Sequence, residues 1–371
     1  MQSNERHIIV RLLRKPSSLF AIIIIVLTTL LAVFAYQIVP DNSPDANTMI
    51  LELGAKQPEI TKTLLLIPKS VVQQQERSHF FSGTPNNYKV VPLNGYYISG
   101  DKFYVKHYID DGLEDTLSYS FRELIPADIK LTNTQAEADY VKKHLLVKRT
   151  FYLGTDRYGR DILSRLIIGT RVSLSVGIIA VLLSITIGIV LGCFAGYYGG
   201  IIDNIVMWFI NILWAIPTLL LVFAITLTIG KGFWEIFIAI GLTMWVGAAR
   251  LIRGQVLVIR EMDYITAARA LGLSDVRIIF RHILPNIAGP VMVIAASNFA
   301  AAILIEAGLS FLGIGIQPPQ PSWGLMIKEH FNFLLTNRPL LAIIPGLAIM
   351  LLVYALNVLG NALRDILDVR Q

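Results

Sequence analysis

Six stretches of this chain are apolar for long enough to cross a lipid bilayer: 17–39, 171–196, 205–229, 233–252, 287–309 and 340–361. That leaves the fold little freedom. A hydrocarbon core about 30 Å thick is spanned by about 20 helical residues. Inside it every backbone N–H and C=O needs a partner, and a helix supplies them within one segment. The expected fold is therefore an all-α polytopic membrane protein with about six transmembrane helices. Composition agrees, at 54% hydrophobic and only 16% charged residues.

The net charge of +6 is placed as a membrane protein places it. Arg6, Arg11, Arg14 and Lys15 precede the first span, so the N-terminus is expected in the cytoplasm. Six crossings return the C-terminus, with Arg364 and Arg370, to the same side. The loop between spans four and five also falls inside, carrying Arg253, Arg260, Arg269, Arg277 and Arg281. Arg157, Arg160, Arg165 and Arg171 fall outside, as long loops tolerate. No basic tract with interleaved aromatics points to nucleic acid. The single cysteine, Cys193, cannot form an intrachain disulfide. The six histidines lack metal-ligand spacing, so no metal is expected. Residues 17–39 are too long for the apolar core of a signal peptide, and read as a retained anchor.

Residues 41–148 are polar and long enough for a small domain. Thr63–Ile67, Tyr88–Val91, Tyr96–Ile98 and Phe103–Ile109 read as strands. Pro85-Asn-Asn, Asn94-Gly95 and Asp110-Asp-Gly112 read as turns, and Thr134–Val147 as a helix. The chain divides into a cytoplasmic N-terminus with the first span (1–40), a mixed α/β extracytoplasmic insert (41–148) and a transmembrane domain (149–371) with a cytoplasmic loop at 253–286.

That loop is polar between apolar runs, and it has helical periodicity. Asp263 can cap a first helix. Tyr264, Ala268 and Leu271 fall at i, i+4 and i+7, as one apolar stripe. Gly272 suits the left-handed position after a helix. Ser274 can cap a second helix, with Asp275 in its first turn and Val276, Ile279, Phe280 and Ile283 at amphipathic spacing. Pro285 limits its continuation. Small Ala267 and Ala268 would let another surface approach the backbone closely. Periodicity alone fits a solvated basic loop equally well.

Spacing narrows this. Thr266-Ala267-Ala268, three residues, Gly272, nine residues and a closing Leu284-Pro285 resemble the EAA loop of binding-protein-dependent ABC transporter permeases. Thr266 and His282 depart from that pattern, standing where it has glutamate and isoleucine. A salt bridge from a leading glutamate therefore does not carry over. Leu153-Gly-Thr-Asp-Arg-Tyr-Gly-Arg-Asp161, Leu309-Ser-Phe-Leu-Gly-Ile-Gly315, Gln317-Pro-Pro319, Ser322-Trp-Gly324 and Asn361-Ala-Leu-Arg-Asp365 resemble the "C" subunits of oligopeptide, dipeptide and nickel permeases. The resemblance covers about 150–371 and the first span; it gives 41–148 no support.

The resemblance implies a non-catalytic permease subunit of an ATP-driven importer in the inner membrane, forming half of the translocation path as a heterodimer. This chain has no G-x-x-x-x-G-K-[ST] phosphate loop, so it is expected to bind no cofactor. ATP and Mg would act through partners: two ABC ATPase subunits, beside a second permease and an extracytoplasmic solute-binding protein. The implied ATPase-coupling residues are Asp263, Thr266, Ala267, Ala268, Arg269, Gly272, Leu284 and Pro285.

Two further residues are candidates for the substrate path. Glu306 is an ionisable group in span five, and such groups are functional candidates by default. Its other reading is an interfacial carboxylate touching headgroups or the next loop. Pro217 can kink span three, or be a tolerated membrane proline. Gly188, Gly192 and Gly196 have the spacing of close helix packing. Peptides are favoured as cargo, because no His/Cys cluster offers a metal path; nickel or another small solute stays open. The rival classes are a membrane-anchored enzyme or sensor acting through 41–148 and an autonomous secondary transporter. The first lacks triad or metal spacing, and the second lacks visible repeats.

Overall fold

The computed structural model describes residues 10–69, 79–126, 129, 131, 133–230, 232–335 and 338–368. Its helices are α1 (Pro16–Val33), α2 (Thr134–Tyr140), α3 (Ile162–Tyr198), α4 (Gly200–Trp214), α5 (Thr218–Ile229), α6 (Phe233–Arg260), α7 (Asp263–Ala270), α8 (Asp275–Ile278), α9 (Leu284–Leu312), α10 (Trp323–His330) and α11 (Leu340–Asp368), besides shorter turns. Among the described residues, five segments are each long and apolar enough to cross a membrane: α1, α3, α6, Asp275–Leu312 and α11. The bent pair α4 and α5 makes a sixth if it counts as one span.

Three spans differ instructively from the hydropathy pattern. The second begins at Ile162, not at 171, although Arg165 and Arg171 then lie in the helix. Arg165 is fully buried and faces Glu329 at 3.6 Å, so its charge is met by protein rather than lipid. The third span is broken, not merely kinked: α4 and α5 meet at 93° across Ala215–Pro217. Proline offers no N–H and pushes the residue before it away from helical dihedrals. The fifth is continuous with the hairpin before it. A π-helical turn at Ile279–Ile283 leads into Pro285 in the first turn of α9, so this proline does not stop the helix. In a first turn, its missing N–H costs little.

The helices are held by one close seam. Gly188, Gly192 and Gly196 of α3 face α6, and this stripe packs as its spacing suggests. A Cβ at Gly192 would stand 2.7 Å from the Ala249 carbonyl oxygen, and one at Gly196 2.8 Å from Val256 Cβ. Farther out, Val172, Val176 and Ala180 of α3 pack with Ile236, Phe237 and Ile240 of α6.

Residues 41–151 carry, among the described residues, a five-stranded antiparallel sheet in the order β4-β3-β2-β1-β5: β1 (Ile60–Pro68), β2 (Tyr88–Ser99), β3 (Lys102–Asp110), β4 (Leu113–Ser120) and β5 (Leu146–Phe151). α2 and the π-helical turn Val141–Leu145 cover one face, over Leu65, Val91, Phe103 and Val105. Ile50, Leu53, Leu64, Tyr108 and Phe151 close the other. Asn94-Gly95 is no turn; it sits in β2 at a register shift. The helix expected to Val147 ends early because residues 146–151 pair with β1.

A buried ion-pair network fastens the N-terminal end of α3 to α10. Arg160 Nε donates to Asp156 Oδ2 at 2.5 Å, and its Nη2 to Glu329 Oε2 at 3.0 Å. Arg160 is 2% exposed. Asp161 caps α3 by accepting from the Ser164 N–H at 2.9 Å. The insert joins here, with the Lys56 N–H donating to Thr155 Oγ1 and the Asp41 N–H to Ser164 Oγ.

Two outcomes follow for stability. Gly192→Leu is expected to overpack the α3–α6 seam and cost about 1–3 kcal/mol, read as a lower melting temperature in detergent. Glu329→Gln leaves buried guanidinium charge short of a counter-ion and is expected to cost about 3–5 kcal/mol. By contrast, breaking the exposed Lys15–Asp365 pair should cost at most about 1 kcal/mol.

Candidate coupling hairpin and membrane cavity

The hairpin between α6 and α9 is built from short helices joined at a glycine. Asp263 is the first residue of α7 rather than its cap; Met262 holds the capping position without a side-chain bond. A carboxylate in the first turn still complements the helix dipole. Gly272 has φ +75°, and its N–H donates to the Arg269 carbonyl while the Leu273 N–H donates to that of Ala268. That is a Schellman closure, which needs the left-handed residue that glycine supplies. Ser274 precedes α8, again without a side-chain capping bond.

The packed stripe keeps Ala268, Ile279 and Ile283 of the expected one but has Ile265 and Ile278 in place of the expected Tyr264, Leu271, Val276 and Phe280. Ile265 and Ala268, with Ile278, Ile279 and Ile283, are buried against Cys193, Tyr197, Ile252 and Val256. Ala268 thus faces its own protein and does not offer its backbone to another surface. Tyr264 and Leu271 point outward, as do Val276 and Phe280; Leu271 is 80% exposed and Phe280 67%. Leu271 lies just past the end of α7, so the helical spacing from Tyr264 does not carry it inward.

Of the other expected coupling residues, Asp263, Thr266, Ala267, Gly272 and Pro285 are exposed and Leu284 is half-buried. Arg269 is exposed yet turned back: its guanidinium lies 4.9 Å from the Tyr197 ring centre, and Nε donates to Tyr197 Oη at 3.4 Å. The same hydroxyl donates to Asp275 Oδ1 at 2.7 Å. One tyrosine at the end of α3 therefore holds both arms of the hairpin. Sequence reasoning missed it, because a tyrosine at the end of a span reads as an interfacial aromatic.

A cavity of about 250 Å³ opens beside the broken span. Trp214 and Thr218 flank the break, Thr243 and Gly247 come from α6, and Asn298 and Ile305 from α9. Its lining among the described residues carries no ionisable side chain. The Asn298 amide donates to Ser184 Oγ at 3.3 Å, and the Thr243 hydroxyl to the Ile240 carbonyl at 2.8 Å. Pro217 shapes this cavity through the break without lining it. Glu306 points elsewhere. It is fully buried, accepts from Ser310 Oγ at 2.6 Å and is absent from the lining. Its setting is the packing under the loop before α10, not headgroups.

Asp156, Glu329 and His330 bring ligand atoms within 4.8 Å of one another. Arg160 and Arg165 already compensate those carboxylates. Two carboxylates and two guanidinium groups thus balance in charge there.

With this geometry in place, comparison with known proteins is informative. The family described as binding-protein-dependent transport system inner membrane component matches residues 188–371. The glutathione transport system permease protein GsiD of Pectobacterium atrosepticum is 43% identical over 58% of this chain and 72% of its own length. The dipeptide transport system permease protein DppC of Bacillus subtilis is 42% identical over 58% of this chain and 68% of its own. A chain of the inward-facing MetNI methionine ABC transporter aligns at 16% identity over 57% of this chain and 98% of that one, with a TM-score of 0.46.

Gly272→Ala tests the hairpin closure. A side chain at that dihedral costs about 1–2 kcal/mol, so amide exchange across Leu271–Leu273 should quicken by about 5–30-fold while exchange in α3 and α6 is unchanged.

Proposed function

The chain belongs to the binding-protein-dependent transport system inner membrane component family, and from that premise we propose that it carries short peptides inward as one permease half of an ATP-driven importer. The carrying observation is the outward apolar face of the hairpin, at Tyr264, Leu271, Val276 and Phe280. These side chains stand on short helices that the rest of the chain braces from behind. A braced apolar face of this size suits a partner's groove. The chain itself has no phosphate-binding loop, so ATP and Mg belong to the partner, and two ABC ATPase subunits are the reading that fits.

The arginine-rich hairpin supports a cytoplasmic position for it and for both termini. The cavity beside α4 and α5 is open on one side, which suits a path completed by a second permease chain. Its uncharged wall, with hydroxyl and amide groups on an apolar background, matches a peptide better than a metal ion. The names of the two relatives, for glutathione and dipeptides, point the same way. A solute-binding protein would deliver cargo at the outer side, where the insert stands.

Leu271→Asp tests the coupling reading. The residue is exposed, so melting should stay within about 0.5 kcal/mol of wild type. The ATPase subunits should fail to co-purify, and dipeptide uptake should fall at least about tenfold. Wild-type uptake by a stably inserted L271D protein would sink the assignment.

A further inference from the structure

Three arginines lie along the second half of α6, and two of them are answered. Arg253 donates through Nε and Nη2 to both carboxylate oxygens of Asp203. Arg260 Nε pairs with Glu261 at 2.8 Å, and its Nη1 donates to the Gly196 carbonyl at 3.0 Å. Arg250 has no such partner; among the described residues it makes no hydrogen bond and no ion pair. Its guanidinium lies instead over the Trp214 ring, 4.2 Å from the centroid.

Position makes this cation informative. Arg250 stands about 15 Å of helix short of Arg260, within a segment long and apolar enough to span. A charge there is costly without a counter-ion, and its partner is a functional question by default. Trp214 is also a wall of the cavity, and so are Val246 and Gly247. Those two precede Arg250 by four and three residues, so they share its helix face. A Cβ at Gly247 would meet no atom within 4 Å, so there is space at that point of the face. The guanidinium thus sits on a residue that lines the cavity, and the cavity's own wall is uncharged among the described residues.

We infer that Arg250, seated on Trp214, is the group that reads the carboxylate of the cargo in the membrane path. A guanidinium fork matches a carboxylate with two parallel hydrogen bonds, and stacking on indole holds its plane. The Thr218 hydroxyl and the oxygens of Thr243 and Asn298, whose donors are bonded within the protein, are then the polar groups that face the peptide bonds. This rests on the peptide reading above, and names the part of the peptide that the path recognises: its C-terminal carboxylate rather than its side chains.

The test compares alanyl-alanine with alanyl-alanine amide, each at saturating concentration, in proteoliposomes holding the complete transporter. Selection by a binding protein is common to wild type and variants, so the change on mutation isolates the permease. Arg250→Gln is expected to lower the maximal uptake rate of the free acid about tenfold or more and to leave that of the amide unchanged. Arg250→Lys, which keeps the charge but loses the fork, should give an intermediate rate for the free acid. An equal fall for both cargoes would overturn the inference, placing the arginine against a carboxylate of the second permease or a lipid phosphate. No change for either would overturn it as well. A wild-type complex that carries neither compound would instead sink the peptide reading, and this inference with it.

Discussion

The close approach of α3 and α6 is the contact on which the other features depend. Three glycines, one turn apart, let α6 lie almost backbone to backbone on α3. In a bilayer no hydrophobic gain separates helix contacts from lipid contacts, so intimate packing of this kind does the holding. The consequences run both ways along α6. Its middle presents Thr243 and Gly247 to the cavity. Its end delivers the chain into the hairpin, whose inner stripe rests on Cys193 and Tyr197 of the same α3. Cavity and hairpin are thus positioned by one seam.

The N-terminal end of α3 is organised by charge. Arg160, Asp156 and Glu329 are nearly dry, and such a network tolerates only a complete set of partners. It fixes the loop before α3 to α10, and the insert is sewn to that loop by backbone bonds. The sheet domain therefore stands on the membrane portion at a defined place. Gly154 and Gly159 mark how close the two come, since a Cβ at either would collide with the backbone of residues 50 to 58.

Hydropathy made the spans legible, because the bilayer allows so few solutions. It failed where charges are paired. Arg165 and Arg253 end an apolar window, yet both continue their helices because Glu329 and Asp203 answer them. The glycine corner at Gly272 was legible from residue type, and the packed face beside it only at Ala268, Ile279 and Ile283. Strand β4 escaped notice because its Leu113–Ser120 run is largely exposed and polar. Tyr197 and Arg250 were illegible for a plainer reason. Their meaning lies in what they touch across long sequence separations, Arg269 and Asp275 for one and Trp214 for the other. No local pattern records such contacts.

The length of α3 has a mechanical consequence. It runs unbroken from the ion-pair network at its N-terminal end to Tyr197 at its C-terminal end, about 55 Å at helical rise. The hairpin is pinned to one end and the insert to the other. Such a helix is a connecting rod. Held at its C-terminal end and tilted, it swings its N-terminal end by about 1 Å per degree for a rod of that length. Any tilt that moves the hairpin at one end of α3 thereby also moves the sheet domain at the other, with no signal passed through the space between them.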